Sequence, residues 1–214
     1  MSSQENLNNL SKGKLIDMIK SLKLENSILK EMHEHMAKSN ERLERLEREQ
    51  FKHFQYQRRD TIEISGIPTT VNQADLEKEV VKIYNAARVA VNEKKLDVHQ
   101  IQACHRIGRK GVTICKFVNR KYATEGIYCG RNLKNCTLYG GSPVYINHSF
   151  CNEFRHLNFL IRKAKGAGKL YRYKVKHGVN FIKVGEDDDD FVEISHKIDL
   201  VNLGIIDETT ESQA

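Results

Sequence analysis

The chain has 214 residues, a formal net charge of +7, five Cys and no Trp. That length accommodates one or two modest domains beside a long helix. Neither an apolar run of 18 residues nor an N-terminal apolar leader is present, so membrane insertion and secretion are not expected. Cys104, Cys115, Cys129, Cys136 and Cys151 form no C-x-x-C pair and leave an odd thiol. A reduced intracellular setting is therefore expected, whether cytoplasmic, nuclear or within a virus-infected cell, and a disulfide framework is not.

Charge is distributed unevenly. Residues 1–56 carry 10 Lys/Arg against 9 Asp/Glu, residues 57–150 carry 15 against 8, and residues 151–183 carry 9 against 1. The remainder, 184–214, carries 1 against 10. Two adjoining basic blocks followed by an acidic segment suit a polyanionic partner such as nucleic acid; a solvated basic surface is the plainer alternative.

Residues 1–11 are polar and are expected to be disordered. From residue 12 to 57 the apolar positions follow a heptad: Leu15, Leu22, Leu29, Met36 and Leu43 at a, with Met18, Met32 and Leu46 at d, and Glu25 and Ser39 interrupting the d series. This pattern predicts a coiled coil, because so polar a helix is marginal unless partner helices bury its stripe. Arg42-Leu43-Glu44-Arg45-Leu46-Glu47 matches the Arg-h-x-x-h-Glu pattern of parallel trimers. There Arg42 covers the core with its methylenes and pairs across chains with Glu47. A homo-oligomer is expected, with a trimer favoured.

Residues 58–149 read as β-α-β-β-α-β. Thr61-Ile62-Glu63-Ile64-Ser65 alternates as a strand and stops at Gly66 and Pro68. Leu76, Val80, Val81, Ile83, Tyr84, Ala87 and Val91 recur at helical spacing. Val98–Gly108 reads as a second strand and Val112–Phe117 as a third. Asn119 caps a helix running to about Tyr128, and Val144-Tyr145-Ile146-Asn147 is the fourth strand. This order is the ferredoxin-like arrangement. Residues 150–204 read as a small basic domain: a helix from Asn152 to Lys165, then two strands around a His177-Gly178 hairpin, with Phe191-Val192-Glu193-Ile194 as a returning strand. Residues 205–214 read as a disordered tail, and the acidic run 186–190 as a solvated turn. The fold class expected is α+β with an N-terminal coiled-coil helix.

Arg58-Arg59-Asp60-Thr61-Ile62-Glu63-Ile64-Ser65-Gly66-Ile67-Pro68, Cys104-His105-Arg106-Ile107-Gly108 and the Val-Tyr-Ile-Asn strand resemble the RNA-recognition-motif domain of first-open-reading-frame proteins from LINE-type retrotransposons. The C-terminal part resembles the C-terminal domain of the baculovirus few-polyhedra protein. The resemblance implies a coiled-coil oligomer that coats single-stranded nucleic acid, usually RNA, with chaperone-like behaviour. The few-polyhedra likeness also allows a structural or assembly protein whose coiled coil and basic surface bind protein partners.

Val112, Ile114 and Glu63 occupy positions where an ordinary RNA-recognition motif carries base-stacking aromatics. Binding to single-stranded RNA or DNA is therefore expected to rest on phosphate contacts and to be weakly sequence-selective. The candidate residues are Arg58, Arg59, His105, Arg106, Arg109, Lys110 and Lys116 in the sheet domain. In the C-terminal domain they are Arg155, Arg162, Lys163, Arg172, Lys174 and Lys176. A cleft is expected with Arg58, Arg59, Arg106 and Lys110 on one wall and Arg155, Arg162, Arg172 and Lys174 on the other. His105 reads equally as an ordinary strand histidine. No metal-ligand spacing, Walker loop, G-x-S-x-G or H-E-x-x-H motif occurs, so neither a cofactor nor an enzyme is expected.

Overall fold

The computed structural model describes residues 12–88, 95–108, 111–135 and 138–207. The N-terminal segment 1–11, Val91, Arg109, Lys110 and the segment from 208 onward lie outside them. The protein is mixed helix and antiparallel sheet, and the chain divides into two compact units, between Glu49 and Gln50. No helix among the described residues is long and apolar enough to cross a membrane.

Helix α1 spans Lys12–Tyr56, 45 residues. In the first unit its heptad residues Met18, Leu22, Leu29, Met32, Met36, Leu43 and Leu46 are exposed, and Leu15 is half-buried. A stripe of this kind has no core of its own to enter within a single chain. The last seven residues of α1, from Gln50, belong to the second unit.

That unit holds two hydrophobic cores. The first lies between a four-stranded sheet and two helices. Strands β1 (Thr61–Ser65), β2 (Ile101–Ile107), β3 (Val112–Phe117) and β4 (Tyr145–His148) pair antiparallel in the order β2-β3-β1-β4. Helix α2 (Leu76–Ala87) follows β1 and α3 (Arg120–Cys129) follows β3. The period-2 alternation sends Ile62, Ile64, Cys115 and Phe117 to the helix side, where they meet Leu76, Val80, Ile83, Tyr84 and Ala123. Tyr84 stacks edge-on to Phe117 and donates to Tyr122 O at 2.9 Å. Gly126 lets this tyrosine in: a Cβ there would lie 2.8 Å from Tyr84 Cε2.

The second strand begins later than its composition suggests. Asp97 and Gln100 form a capping box around a single turn at Val98–Gln100, and the strand starts only at Ile101. The side-chain bonds of the box offer that backbone an alternative to the ladder.

The second core belongs to helix α4 (Asn152–Gly166) and the sheet β5-β6-β7, made of Arg172–Lys176, Val179–Lys183 and Val192–Ile194. Leu157, Leu160, Ile161 and Ala164 of α4 cover Ile182 and Ile194. His177 and Gly178, at φ 52° and 77°, form the two-residue left-handed turn that this hairpin needs. A short helix α5 (Lys197–Asn202), which the sequence did not announce, adds Leu200, and Ile205 is buried beside it. The expected tail therefore begins too early at 205: Ile205 and the half-buried Ile206 close this core.

The two cores are tied by a polar residue. Gln55, in the last turn of α1, is fully enclosed; its Nε2 donates to Ser149 O at 2.9 Å and its Oε1 accepts from Cys151 N at 3.0 Å. Gly178 roofs this pair so closely that a Cβ would come within 2.4 Å of Gln55 Nε2. Nearby, Phe51 stacks on His196 and Lys52 pairs with Glu193 at 2.8 Å.

Candidate nucleic-acid interface

A cleft of about 660 Å³ opens in the second unit where three segments meet. Arg58 and Arg59, just past α1, come from the first, and Arg120, Lys121 and Tyr128 of α3 from the second. Lys176 and His177, at the turn of the β5–β6 hairpin, supply the third, and His148 lies against it from the end of β4. Glu125 is the one carboxylate in the lining, and it is already engaged by Arg88 and Lys121, each at 3.5 Å, and by the Tyr84 hydroxyl at 3.3 Å.

The start of α3 is electrostatically odd. Lys121 N–H donates to the Asn119 side chain at 2.9 Å, which fixes the helix start, yet the first turn holds Arg120 and Lys121 and no acid. Cations at the positive end of a helix dipole are unfavourable by a few tenths to 1 kcal/mol apiece. The same arrangement is favourable once an anion occupies the site, because the positive helix end and the side-chain cations then act on one charge.

The arginines after α1 are only lightly committed. Arg58 reaches Ser149 Oγ at 3.3 Å and forms no ion pair among the described residues. Arg59 lies over the ring of Tyr56, 4.6 Å from its centroid, and its buried Nε has no hydrogen-bond partner. Burial, then the proximity of His177, pushes the His148 imidazole down to about 4, so it is neutral at physiological pH and adds a donor rather than a charge.

The expected walls are thus rearranged. Arg58, Arg59 and Lys176 come together, but Arg106 does not join them. It points to the helix side of the sheet, where its guanidinium donates to the carbonyls of Ile67, Pro68, Val71 and Gly111 at 2.7 to 3.3 Å. It is a clamp on the loop after β1. Arg155 pairs with Glu63 at 2.5 Å, which neutralises both. Arg162 donates to the Tyr173 hydroxyl at 3.1 Å, and Lys174 sits over the Phe191 ring at 3.7 Å. Arg172, Lys174 and Lys176 do share the exposed face of β5, leading away from the cleft. Lys163 is exposed on α4.

His105 and Lys116 line a second groove of about 700 Å³ on the open face of the first sheet, together with Ile114, Arg58, Phe54 and the start of α4. Lys116 approaches Asp60 there, at 3.8 Å. Arg109 and Lys110 lie outside the described residues.

Arg120, Lys121, His148, His177 and Tyr128 escaped the sequence reading. The acid-free first turn after Asn119 was the one available signal for the first two. No group of three or more His, Cys, Asp or Glu side chains among the described residues could hold a metal ion. No protein-family model matches the chain, and no curated protein matches it significantly.

Proposed function

We propose that the chain is a non-enzymatic, homo-oligomeric protein that binds single-stranded nucleic acid, RNA foremost, in a coating or chaperone-like role. The observation that carries this is the cleft in which Arg58, Arg59, Arg120, Lys121 and Lys176 converge from three segments around one already-paired carboxylate. Clustered cations release condensed counterions from a polyanion, which is the main source of sequence-independent affinity. The element order β-α-β-β-α-β with strands ordered β2-β3-β1-β4 supports a ferredoxin-like sheet domain of the kind found in LINE-type first-open-reading-frame proteins. The open face offers Val112, Ile114 and an ion-paired Glu63 where base-reading aromatics would stand, which supports weak sequence selectivity.

The exposed heptad stripe supports self-association through residues 12–49, a parallel trimer being the form that Arg42 and Glu47 favour. Cleft binding is tested by titrating single-stranded RNA, single-stranded DNA and duplex against salt, with wild type, Arg120→Ala and Lys176→Ala. Each lost phosphate contact should flatten the log–log salt slope by about 0.7. Wild-type affinity and slope in both variants would remove the cleft from the account.

A further inference from the structure

Tyr128 occupies the end of α3 remote from Arg120 and Lys121, yet lines the same cleft. Tyr128 lies eight positions after Arg120, about 12 Å along the axis. Tyr128 is 67 % exposed, the most exposed large hydrophobic side chain among the described residues. Its hydroxyl makes no hydrogen bond among them, so nothing polar accounts for its position.

The ring nevertheless has a neighbour. The Arg131 guanidinium lies 4.1 Å from its centroid, and Arg131 Nε donates to Tyr128 O at 3.0 Å. The guanidinium makes a cation–π contact with the ring, which stays largely exposed. An exposed aromatic ring offers its π surface to a flat partner, and a cation beside it adds to the attraction.

Resting on the cleft reading above, we infer that Tyr128 is a base-stacking platform, so that the cleft takes a strand whose phosphates meet Arg120, Lys121, Arg58 and Lys176 while one unpaired base lies on the Tyr128 ring. A base in duplex has both faces occupied by its neighbours, so the platform selects for single strands. It is indifferent to base identity, since every base has a π face. This differs from stacking on the sheet itself, where β4 carries Tyr145, 48 % exposed.

The test uses the full chain and two probes with equal numbers of phosphates, a labelled oligouridylate and inorganic polyphosphate, with Tyr128→Ala, Tyr128→Phe, Tyr145→Ala and Arg120→Ala. Stacking is worth about 1–3 kcal/mol per base, so Tyr128→Ala should weaken oligouridylate binding by about 5- to 150-fold. Tyr128→Phe should restore it, polyphosphate binding should be unchanged in both variants, and Arg120→Ala should weaken both probes. Undiminished oligouridylate affinity in Tyr128→Ala, equal loss on both probes, or loss in Tyr145→Ala instead overturns the platform. If Arg120→Ala still weakens both probes, the cleft survives that failure. If Arg120→Ala weakens neither, cleft and platform fall together.

Discussion

Replacing Gln55 with Ala should destabilise the second unit far more than a helix-surface substitution normally does. The side chain is 2 % exposed and satisfies two buried backbone groups, Ser149 O and Cys151 N. Alanine leaves both without a partner, and each orphaned buried group costs about 1–3 kcal/mol. Alanine's better helix propensity returns only a few tenths, so the net loss should be roughly 2–5 kcal/mol. Urea unfolding of the full chain gives the total, and native-state hydrogen exchange at the Cys151 amide gives the local effect, which should be at least tenfold faster. Gln55→Glu adds a sign. The carboxylate still accepts from Cys151 but turns a lone pair toward Ser149 O, and burial raises its folded pKa above the usual carboxylate range. A raised folded pKa means the variant is penalised above that value and recovers as acid protonates the group. A loss below about 0.5 kcal/mol in Gln55→Ala, with Cys151 exchange unchanged, would refute the reasoning.

Gly178→Ala should destabilise the hairpin through both its φ of 77° and the 2.4 Å approach to Gln55 Nε2, by about 1–3 kcal/mol, and Gln55→Ala should relieve part of that in the double variant. Arg106→Ala should lower the unfolding midpoint while leaving the salt slope of nucleic-acid binding unchanged, because its guanidinium is occupied by four carbonyls. His148 has a folded pKa of about 4 against the usual 6.5. Its protonation therefore favours the unfolded chain, and stability should be level above pH 6.5 and fall between 6.5 and 4. About 2 kcal/mol should be lost by pH 5, a slope absent from His148→Gln. A denaturation series across pH checks it.

The strands were legible because period-2 alternation is written directly into Thr61–Ser65 and Val112–Phe117. The helix starts at Asn119 and the His177-Gly178 turn were legible because local chemistry fixes them. Gln55 was not. Continuing the heptad from Leu15 puts it at f, the most solvent-facing position, and its partners are backbone atoms that no side-chain pattern advertises. Arg106 was misassigned for the same reason, since a guanidinium spent on carbonyls reads in sequence like one free for phosphate. Arg120 and Lys121 went unread because the hairpin turn that lines the same cleft comes much later in the chain. Ile205 was lost to the tail because one apolar pair after a Gly gives no periodicity to read.

The Gln55 tie also bears on how freely such a chain can be recombined. Its donor and acceptor serve Ser149 and Cys151, its roof is Gly178, and Arg58 shares Ser149 through the hydroxyl. Three short segments, more than a hundred residues apart at their extremes, thus meet around a single side-chain amide. A segment from 150 onward is therefore not an exchangeable cassette. A chimaera that imports it from a relative will assemble well only if the donor's equivalent of Gln55 travels with it, and a shortened chain begun at residue 58 instead of 50 will discard the fastening along with the rod.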